Sequence, residues 1–579
     1  MWRRIRSLEP FVRQHMLAII GGSLALLASA ALQLVGPWVQ KELIDRILPM
    51  KLTGTLAVLV LIWGASLVSA QGLRTLGAYI MSGAAQAVAT TIRSHLIRHS
   101  AEMDFLSFQR TGSQQLLGLI TNNATVVARD FGTASVIALM AVFTFVANAL
   151  LLYVIDFRLM VISIAIVPLA VLLGALFTKP AFRFSRSTQD AVAKLTDVTR
   201  DQINGATDIR TSVAHQWSIA QVERASSTVA RVWVRRELLM GAAISAMDLI
   251  NLLPIVAIFF IGGIQVISGS LSIGSLIAFV GYMSRVLEAS GQFSAVPGAL
   301  QPILASIDRI NEFLNLPREA SLSAHKTIDK VSSVSLQHAS VFIDGKTVLS
   351  DVSLSLQTRT DVAIVGESGS GKSSIAALVC GLLPISQGEV IVNNEASSSE
   401  FQPSSIRRRI GLVSRDSHIF STTVRDNILL GRDLDHEDVE RACAIAQLAN
   451  VIDKLEGGWD CALQSGGTNL SAGERQRIAL ARVLAQKPDL LILDEALSSL
   501  DRMTLRAFWR EFLSWKGRPT VILLTHDLEM ASEFGQIYVM AGGKVVQQGS
   551  HSDLIDSPGV YQTLWRGGTI PDQSTAEPL

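Results

Sequence analysis

The segment Gly366-Glu367-Ser368-Gly369-Ser370-Gly371-Lys372-Ser373 has the spacing GxxxxGK[ST]. Small residues there let backbone N–H groups wrap a phosphate, while Lys372 supplies positive charge and Ser373 a hydroxyl ligand for Mg2+. Ser374 carries the run into the residues that follow. Farther along, Leu490-Leu491-Ile492-Leu493-Asp494-Glu495 is an apolar stretch ending in two carboxylates. At the end of a buried strand Asp494 can hold the metal and Glu495 can polarise a water. Together the two motifs describe a nucleoside triphosphatase. A glycine-rich turn alone would be a weak sign. Here Val362-Ala363-Ile364-Val365 reads as a strand before it and residues 374–383 as a helix after it, which is the context that phosphate binding requires.

These motifs sit in a chain too long for one core: 579 residues imply two or more domains. The net charge of +1 argues against a nucleic-acid binder held by bulk electrostatics. Positive mean hydropathy with only 17% charged residues points to a membrane. Cys380, Cys443 and Cys461 lie in the motif-bearing half without CxxC spacing. Neither a metal centre nor a disulfide framework is expected of them, and they should be reduced and cytosolic.

A helix needs roughly 20 apolar residues to cross hydrocarbon. Uncharged windows of that size cover residues 16–39, 52–73, 131–155 and 159–178, the last two separated by the tight turn Asp156-Phe157-Arg158. Residues 249–284 carry no charge and suffice for two spans around Ser268-Gly269-Ser270, so six crossings are expected. Arg3, Arg4, Arg6 and Arg13 precede the first window, whose full-span length predicts an anchor rather than a cleaved signal. The connections 74–130 and 179–248 are rich in basic residues, which places them and both termini in the cytoplasm. Both are too long for loops and read as helices continuing out of the membrane, with a turn at each tip. Residues 1–316 thus form a membrane domain, 317–332 a small polar linker, 333–567 a nucleotide-binding domain and 568–579 a tail expected to be disordered.

Between the two phosphate motifs stands Leu470-Ser471-Ala472-Gly473-Glu474-Arg475-Gln476-Arg477. With it the chain resembles the ATP-binding cassette transporters, whose LSGGQ signature is matched with Ala472 for one glycine and Glu474 for the glutamine. Ser498-Ser499-Leu500-Asp501 is similar to that family's D-loop, and His526, after Val521-Ile522-Leu523-Leu524-Thr525, to its switch histidine. Phe108-Gln109-Arg110-Thr111-Gly112 with Asn122-Asn123-Ala124, and residues 201–210, are similar to the segments that carry its coupling helices. The resemblance covers nearly the whole chain. It implies an α-helical six-span transmembrane domain followed by an α/β P-loop ATPase domain, the architecture of an exporter-type half-transporter. It implies ATP and Mg2+ as cofactors, with Ser373 and Asp494 as metal ligands. Catalysis would fall to Lys372, Glu495 and His526, and Asp501 would join the nucleotide-binding set. A signature segment at a helix N-terminus favours an anion. In the family, Ser471 and Gly473 would close on the nucleotide of a second half-transporter, so a homo- or heterodimer is implied.

Departures from the pattern are informative. Arg415 stands where the family usually has a glutamine beside magnesium and the lytic water, and a guanidinium cannot ligate a cation. It must meet a carboxylate, contact phosphate or impair the site. Ile343 holds the place of an adenine-stacking aromatic, with Phe342 on the opposite strand face unless the register slips. Within or beside the spans, Gln33, Asn148, Asn251, Gln265, Asp248 and Glu288 either line a cavity or join helices. A largely apolar lining with few fixed charges suits a hydrophobic or amphipathic cargo of the lipid, drug or peptide class. Expected partners are a second half-transporter, membrane lipids and that cargo, without nucleic acid. The expected location is a bacterial inner membrane, with the nucleotide-binding domain cytoplasmic. Competing readings are import on the same fold, an ATP-gated channel or regulatory half, and a soluble chromosome-maintenance ATPase, which six spans disfavour.

Overall fold

The computed structural model describes residues 9–319 and 326–567. Arg3, Arg4 and Arg6, the middle of the linker and the 568–579 tail lie outside the described residues. The chain divides into two compact units, one formed by residues up to Ala101 together with Thr111–Leu316, the other by Glu102–Arg110 together with residues from Pro317 onward.

The first unit is built from helices: α1 (Met16–Leu32), α2 (Val35–Glu42), α3 (Thr53–Glu102), α4 (Phe131–Ile155), α5 (Phe157–Asn204), α6 (His215–Ile267) and α7 (Ile273–Leu314). Among the described residues, the helical stretches Glu9–Ile47, Thr53–Glu102, Ser113–Ile155 and His215–Ile267 are long and apolar enough to cross a membrane. α5 and α7 run through the two remaining expected windows. At 1.5 Å per residue, the 50 residues of α3 and 53 of α6 extend for more than twice the hydrocarbon thickness of about 30 Å, as helices that leave the membrane must. A short helix, Ala206–Thr211, stands at the turn between α5 and α6, and another, Phe105–Thr111, follows α3 in the segment grouped with the second unit.

The breaks between helices have local causes. Asp156 is the single extended residue between α4 and α5, and its carboxylate accepts the Leu159 N–H at 2.7 Å. The expected three-residue turn is therefore one N-cap. Pro37 has no N–H to offer Gln33, and its ring crowds that carbonyl, so the first crossing divides between α1 and α2. The Leu34 carbonyl then accepts the Tyr282 hydroxyl of α7 at 3.0 Å. At the start of α7, Asp45 accepts the Ser272 hydroxyl at 2.5 Å and the Gly274 N–H at 2.8 Å.

The second unit contains β1 (Ser333–Ile343), β2 (Lys346–Gln357), β3 (Val362–Gly366), α8 (Lys372–Val379), β4 (Gln387–Val392), β5 (Ala396–Ser397), β6 (Ile410–Ser414), α9 (Ala472–Leu484), β7 (Leu490–Asp494), α10 (Arg502–Ser514), β8 (Thr520–Thr525), β9 (Gln536–Ala541) and β10 (Lys544–Gly549). One sheet is antiparallel in the order β2-β1-β4-β5. The other runs β10-β9-β3-β8-β7-β6 and is parallel except for its β10 edge. β3 and β8 are buried along their whole length, as apolar strands covered on both faces should be. Because β3, β8, β7 and β6 are adjacent and parallel, their carboxyl ends share one edge of the sheet.

Candidate active site

Each of those four strands delivers a chemical group at its carboxyl end, the edge on which open α/β sheets bind ligands. After β3 the chain turns sharply into α8. A Cβ on Gly366 would sit 2.4 Å from the Met540 carbonyl oxygen, and Gly371 enters α8 in left-handed backbone with φ +104. The loop amides and the first turn of α8 therefore face one point, where the helix dipole favours an anion. Lys372 is only 5% exposed, and its Nζ donates to the carbonyls of Gly366 and Glu367 at 2.8 and 2.9 Å. Burial pushes its pKa below the ordinary lysine value, against the opposing pull of Glu495 and Asp494.

Asp494 closes β7. Burial holds its carboxyl above the ordinary aspartate range, although the Ser373 hydroxyl hydrogen-bonds to it. Asp494 Oδ1 and the Ser370 hydroxyl are both buried without a hydrogen-bond partner, a costly arrangement unless a ligand completes it. A buried orphan carboxylate oxygen on a residue already hydrogen-bonded to the Ser373 hydroxyl suits a hard, oxygen-seeking cation, so Asp494 and Ser373 fit Mg2+. Among the described residues no group of three or more His, Cys, Asp or Glu side chains could hold a metal.

Glu495 follows with φ +51, unusual for a side chain of its size, and its N–H donates to the Leu524 carbonyl at 2.9 Å. Its carboxylate is held from two sides. Oε1 lies 3.2 Å from His526 Nδ1, at the end of β8, and Oε2 lies 3.4 Å from Arg415 Nη1, after β6. Of the options open to Arg415, the structure adopts the carboxylate contact. Ser368, Gly369, Gly371, Lys372, Ser373, Ser374, Arg415, Asp494 and Glu495 line one cavity of about 440 Å³. Val348 and Asp416 line it as well. Val348 was missed because β2 carries no motif and reaches the loop only through tertiary packing.

Other candidates lie off this cavity. Ser471 caps α9: its hydroxyl accepts the Glu474 N–H at 3.3 Å, while its own N–H donates to the Glu474 carboxylate at 2.8 Å. That capping box holds the Glu474 carboxyl below its ordinary range. Gly473 approaches the Ser499 carbonyl closely enough that a Cβ would stand 3.2 Å from it. Asp501 caps α10, accepting the N–H groups of Met503 and Thr504 at 3.0 Å. Ile343 packs against the sheet core, Phe342 is 44% exposed, and the register shifts between Val341 and Phe342. Neither residue lines the cavity. Cys380 and Cys443 are free thiols that burial pushes up to about 12, which leaves them unreactive at neutral pH.

The family model of the ABC transporter transmembrane region matches residues 19–290, and the ABC transporter model matches residues 349–498. The chain belongs to the ABC transporter family. The transporter is 26% identical over 549 residues to an ATP-dependent lipid A-core flippase of Desulfotalea psychrophila, covering 93% of this chain and 95% of that protein. It is 26% identical over 574 residues to the lactococcin-A transport/processing ATP-binding protein of Lactococcus lactis subsp. lactis, covering 96% and 78%. Among solved structures, a bacterial Atm1-family ABC exporter with ATP bound shares its fold with a TM-score of 0.83 at 22% identity, over 95% of this chain and 98% of that one. The transporter is thus an exporter-type half, a multi-pass membrane domain fused to an ATP-hydrolysing ABC domain.

In its membrane domain Gln33, Asn148 and Glu288 line a second cavity, whereas Asn251, Gln265 and Asp248 do not. Arg74 and Arg285 line it too. The sequence reading missed both because spans defined as uncharged windows stop, by construction, at residues 73 and 284.

Proposed function

We propose that this ABC transporter is an ATP-driven export half that works as a homo- or heterodimer in a bacterial inner membrane, with its ABC domain in the cytoplasm. The division of the nucleotide site carries this reading. The phosphate loop, Asp494, Glu495 and Arg415 converge on one cavity, while Ser471, exposed at the N-terminus of α9, stays outside it. A second copy would bring its own Ser471 and Gly473 to the γ-phosphate, so that ATP joins two ABC domains and hydrolysis parts them.

In each site the loop amides and Lys372 hold the phosphates, Glu495 accepts a proton from the attacking water, and His526 orients that carboxylate and meets the γ-phosphate. Ser373 and Asp494 would hold Mg2+, which would supply neutralisation of the phosphate charge. The short helices Phe105–Thr111 and Ala206–Thr211 suit the coupling of these strokes to the spanning helices. The cargo is hydrophobic or amphipathic. Relatives named as lipid A-core flippases and as a lactococcin-A transport protein support that class.

The test is ATP-dependent movement of a fluorescent amphipathic lipid between leaflets of proteoliposomes containing the full chain. Movement should require MgATP and stop in Glu495→Gln. Passive ionic current without ATP-driven movement would replace export with a channel.

A further inference from the structure

The membrane-domain cavity is more cationic than an apolar cargo needs. Arg285 of α7 donates from Nη1 to Gln33 Oε1 at 2.7 Å. Gln33 is presented there because Pro37 ends α1 beside it, and the same break leaves the Leu34 carbonyl to Tyr282, three residues before Arg285 on α7. α7 fits closely against this break, since a Cβ on Gly281 would meet the Pro37 ring at 3.2 Å. The Arg285 guanidinium is thus fixed in place, yet among the described residues one amide oxygen satisfies one of its five N–H donors.

Arg74 of α3 lines the same cavity with no hydrogen bond or ion pair among the described residues. Glu288 is the one carboxylate in the lining, and it forms no ion pair with either arginine among the described residues. An adjoining cavity shares Leu26, Arg74, Val136 and Ile137 with the first and adds Met81. Its other charge, Arg129, is paired with Asp130 at 2.7 Å. Helical rise places Arg285 ~18 Å and Arg74 ~32 Å along their helices from the starts of α7 and α3. In a hydrocarbon layer about 30 Å thick counted from those starts, Arg285 falls in the cytoplasmic half and Arg74 at the cytoplasmic boundary, in the orientation proposed above. Cations at that depth with too few partners are expensive unless an anion meets them.

We propose that Arg285 and Arg74 form a headgroup site for an anionic amphipath, a molecule with a phosphate or carboxylate head, whose chain lies along Leu26, Met81, Val136 and Ile137. Arginine's planar fork matches such oxyanions. The net excess of one cation, two arginines against Glu288, discriminates against cationic amphipaths. The inference deepens the export reading and rests on it for the cargo's direction, not for its binding.

The test uses the full chain in phosphatidylcholine nanodiscs without nucleotide, and reads binding by calorimetry. Dodecyl phosphate should bind saturably, dodecyltrimethylammonium should not, and inorganic phosphate should bind at least ~10-fold more weakly than dodecyl phosphate. Arg285→Gln and Arg74→Gln should each weaken dodecyl phosphate by ~10-fold, the loss of one charge-assisted hydrogen bond, while Arg285→Lys should retain part of the affinity. Size-exclusion profiles and ATP binding at the ABC domain verify that the variants are folded. Equal binding of the cationic chain by the unmodified protein, or unchanged affinity in both glutamine variants, would overturn the site. Inorganic phosphate binding as tightly as dodecyl phosphate would overturn the amphipath and leave a free-anion site. No turnover enters this assay, so its failure leaves ATP-driven export standing, and failure of export leaves the binding result unaffected.

Discussion

The ABC domain and the membrane domain hold their polar groups by opposite means. In the ABC domain, Lys372, Asp494, Glu495 and His526 stand at the ends of adjacent parallel strands, so backbone hydrogen bonds fix each group before any side chain meets another. In the membrane domain, Gln33 and Arg285 lie 252 positions apart on different helices and meet because a proline breaks one of them. A site fixed by strand ends resists substitution of its neighbours and fails at its chemical groups. A site fixed by helix contacts depends on how the helices pack.

The largest effect that would break this contrast lies at Glu495. Glu495→Gln should lower ATP hydrolysis by at least ~10²-fold while leaving ATP binding intact, as removal of a general base does. Phosphate release against equilibrium nucleotide binding separates the two. Near-normal turnover would remove Glu495 from the role and with it the idea that strand ends alone organise the chemistry.

Lys372 should fail in the complementary manner. Lys372→Ala loses a charge-assisted contact worth about 1.5–3 kcal/mol, so ATP affinity should fall by ~10- to 100-fold. The residue also predicts a pH dependence. Burial lowers its pKa from the ordinary value of 10.5, so as pH rises the ammonium loses its proton earlier than a free lysine would. ATP affinity should therefore decline over a window below 10.5, and Lys372→Arg should flatten that decline, because a guanidinium stays charged. A window at or above the ordinary value would contradict the burial of Nζ.

In the membrane domain the matching change is at Asp45, which ties the end of the first crossing to the start of α7. Asp45→Ala removes the acceptor for the Ser272 hydroxyl and the Gly274 N–H, at a cost of about 1–2 kcal/mol. The expected readout is a lower thermal midpoint in detergent with ATP affinity unchanged. Altered ATP affinity would mean that the packing of α7 reaches the nucleotide site.

Legibility in the sequence follows the same division. The phosphate loop and the Asp494-Glu495 pair could be read directly, because their chemistry depends on neighbours in the chain and on a strand-loop-helix order that apolar runs reveal. The windows for the spanning helices could be read for the same reason. Arg74 and Arg285 could not, since a rule that ends a span at the first charge places every such residue outside the membrane. Nor could the meeting of Gln33 with Arg285, which needs the fold. Pro37 was the available signal, a helix breaker inside an apolar window four positions after the polar Gln33. Whether Ile343 or Phe342 faces the nucleotide depended on strand register, and the irregularity between Val341 and Phe342 is a tertiary feature of β1 against β2.

The smallest effect tests the one place where the ABC domain departs from its own rule. Arg415 reaches Glu495 by side-chain contact at 3.4 Å and is 69% exposed, so this pair resembles the membrane-domain contacts more than the strand-end groups beside it. Exposed ion pairs are worth about 0.2–1 kcal/mol. Breaking this one frees Glu495 Oε2 for water while His526 still holds Oε1. Arg415→Gln should then raise turnover by at most ~5-fold, with ATP affinity little changed, because Lys372 and the loop amides are untouched. A fall in turnover instead, rescued by Arg415→Lys, would mean that the cation serves the phosphate in the closed dimer and that the carboxylate contact belongs to the resting state. Either outcome assigns the residue, since a merely structural role would move neither rate nor rescue.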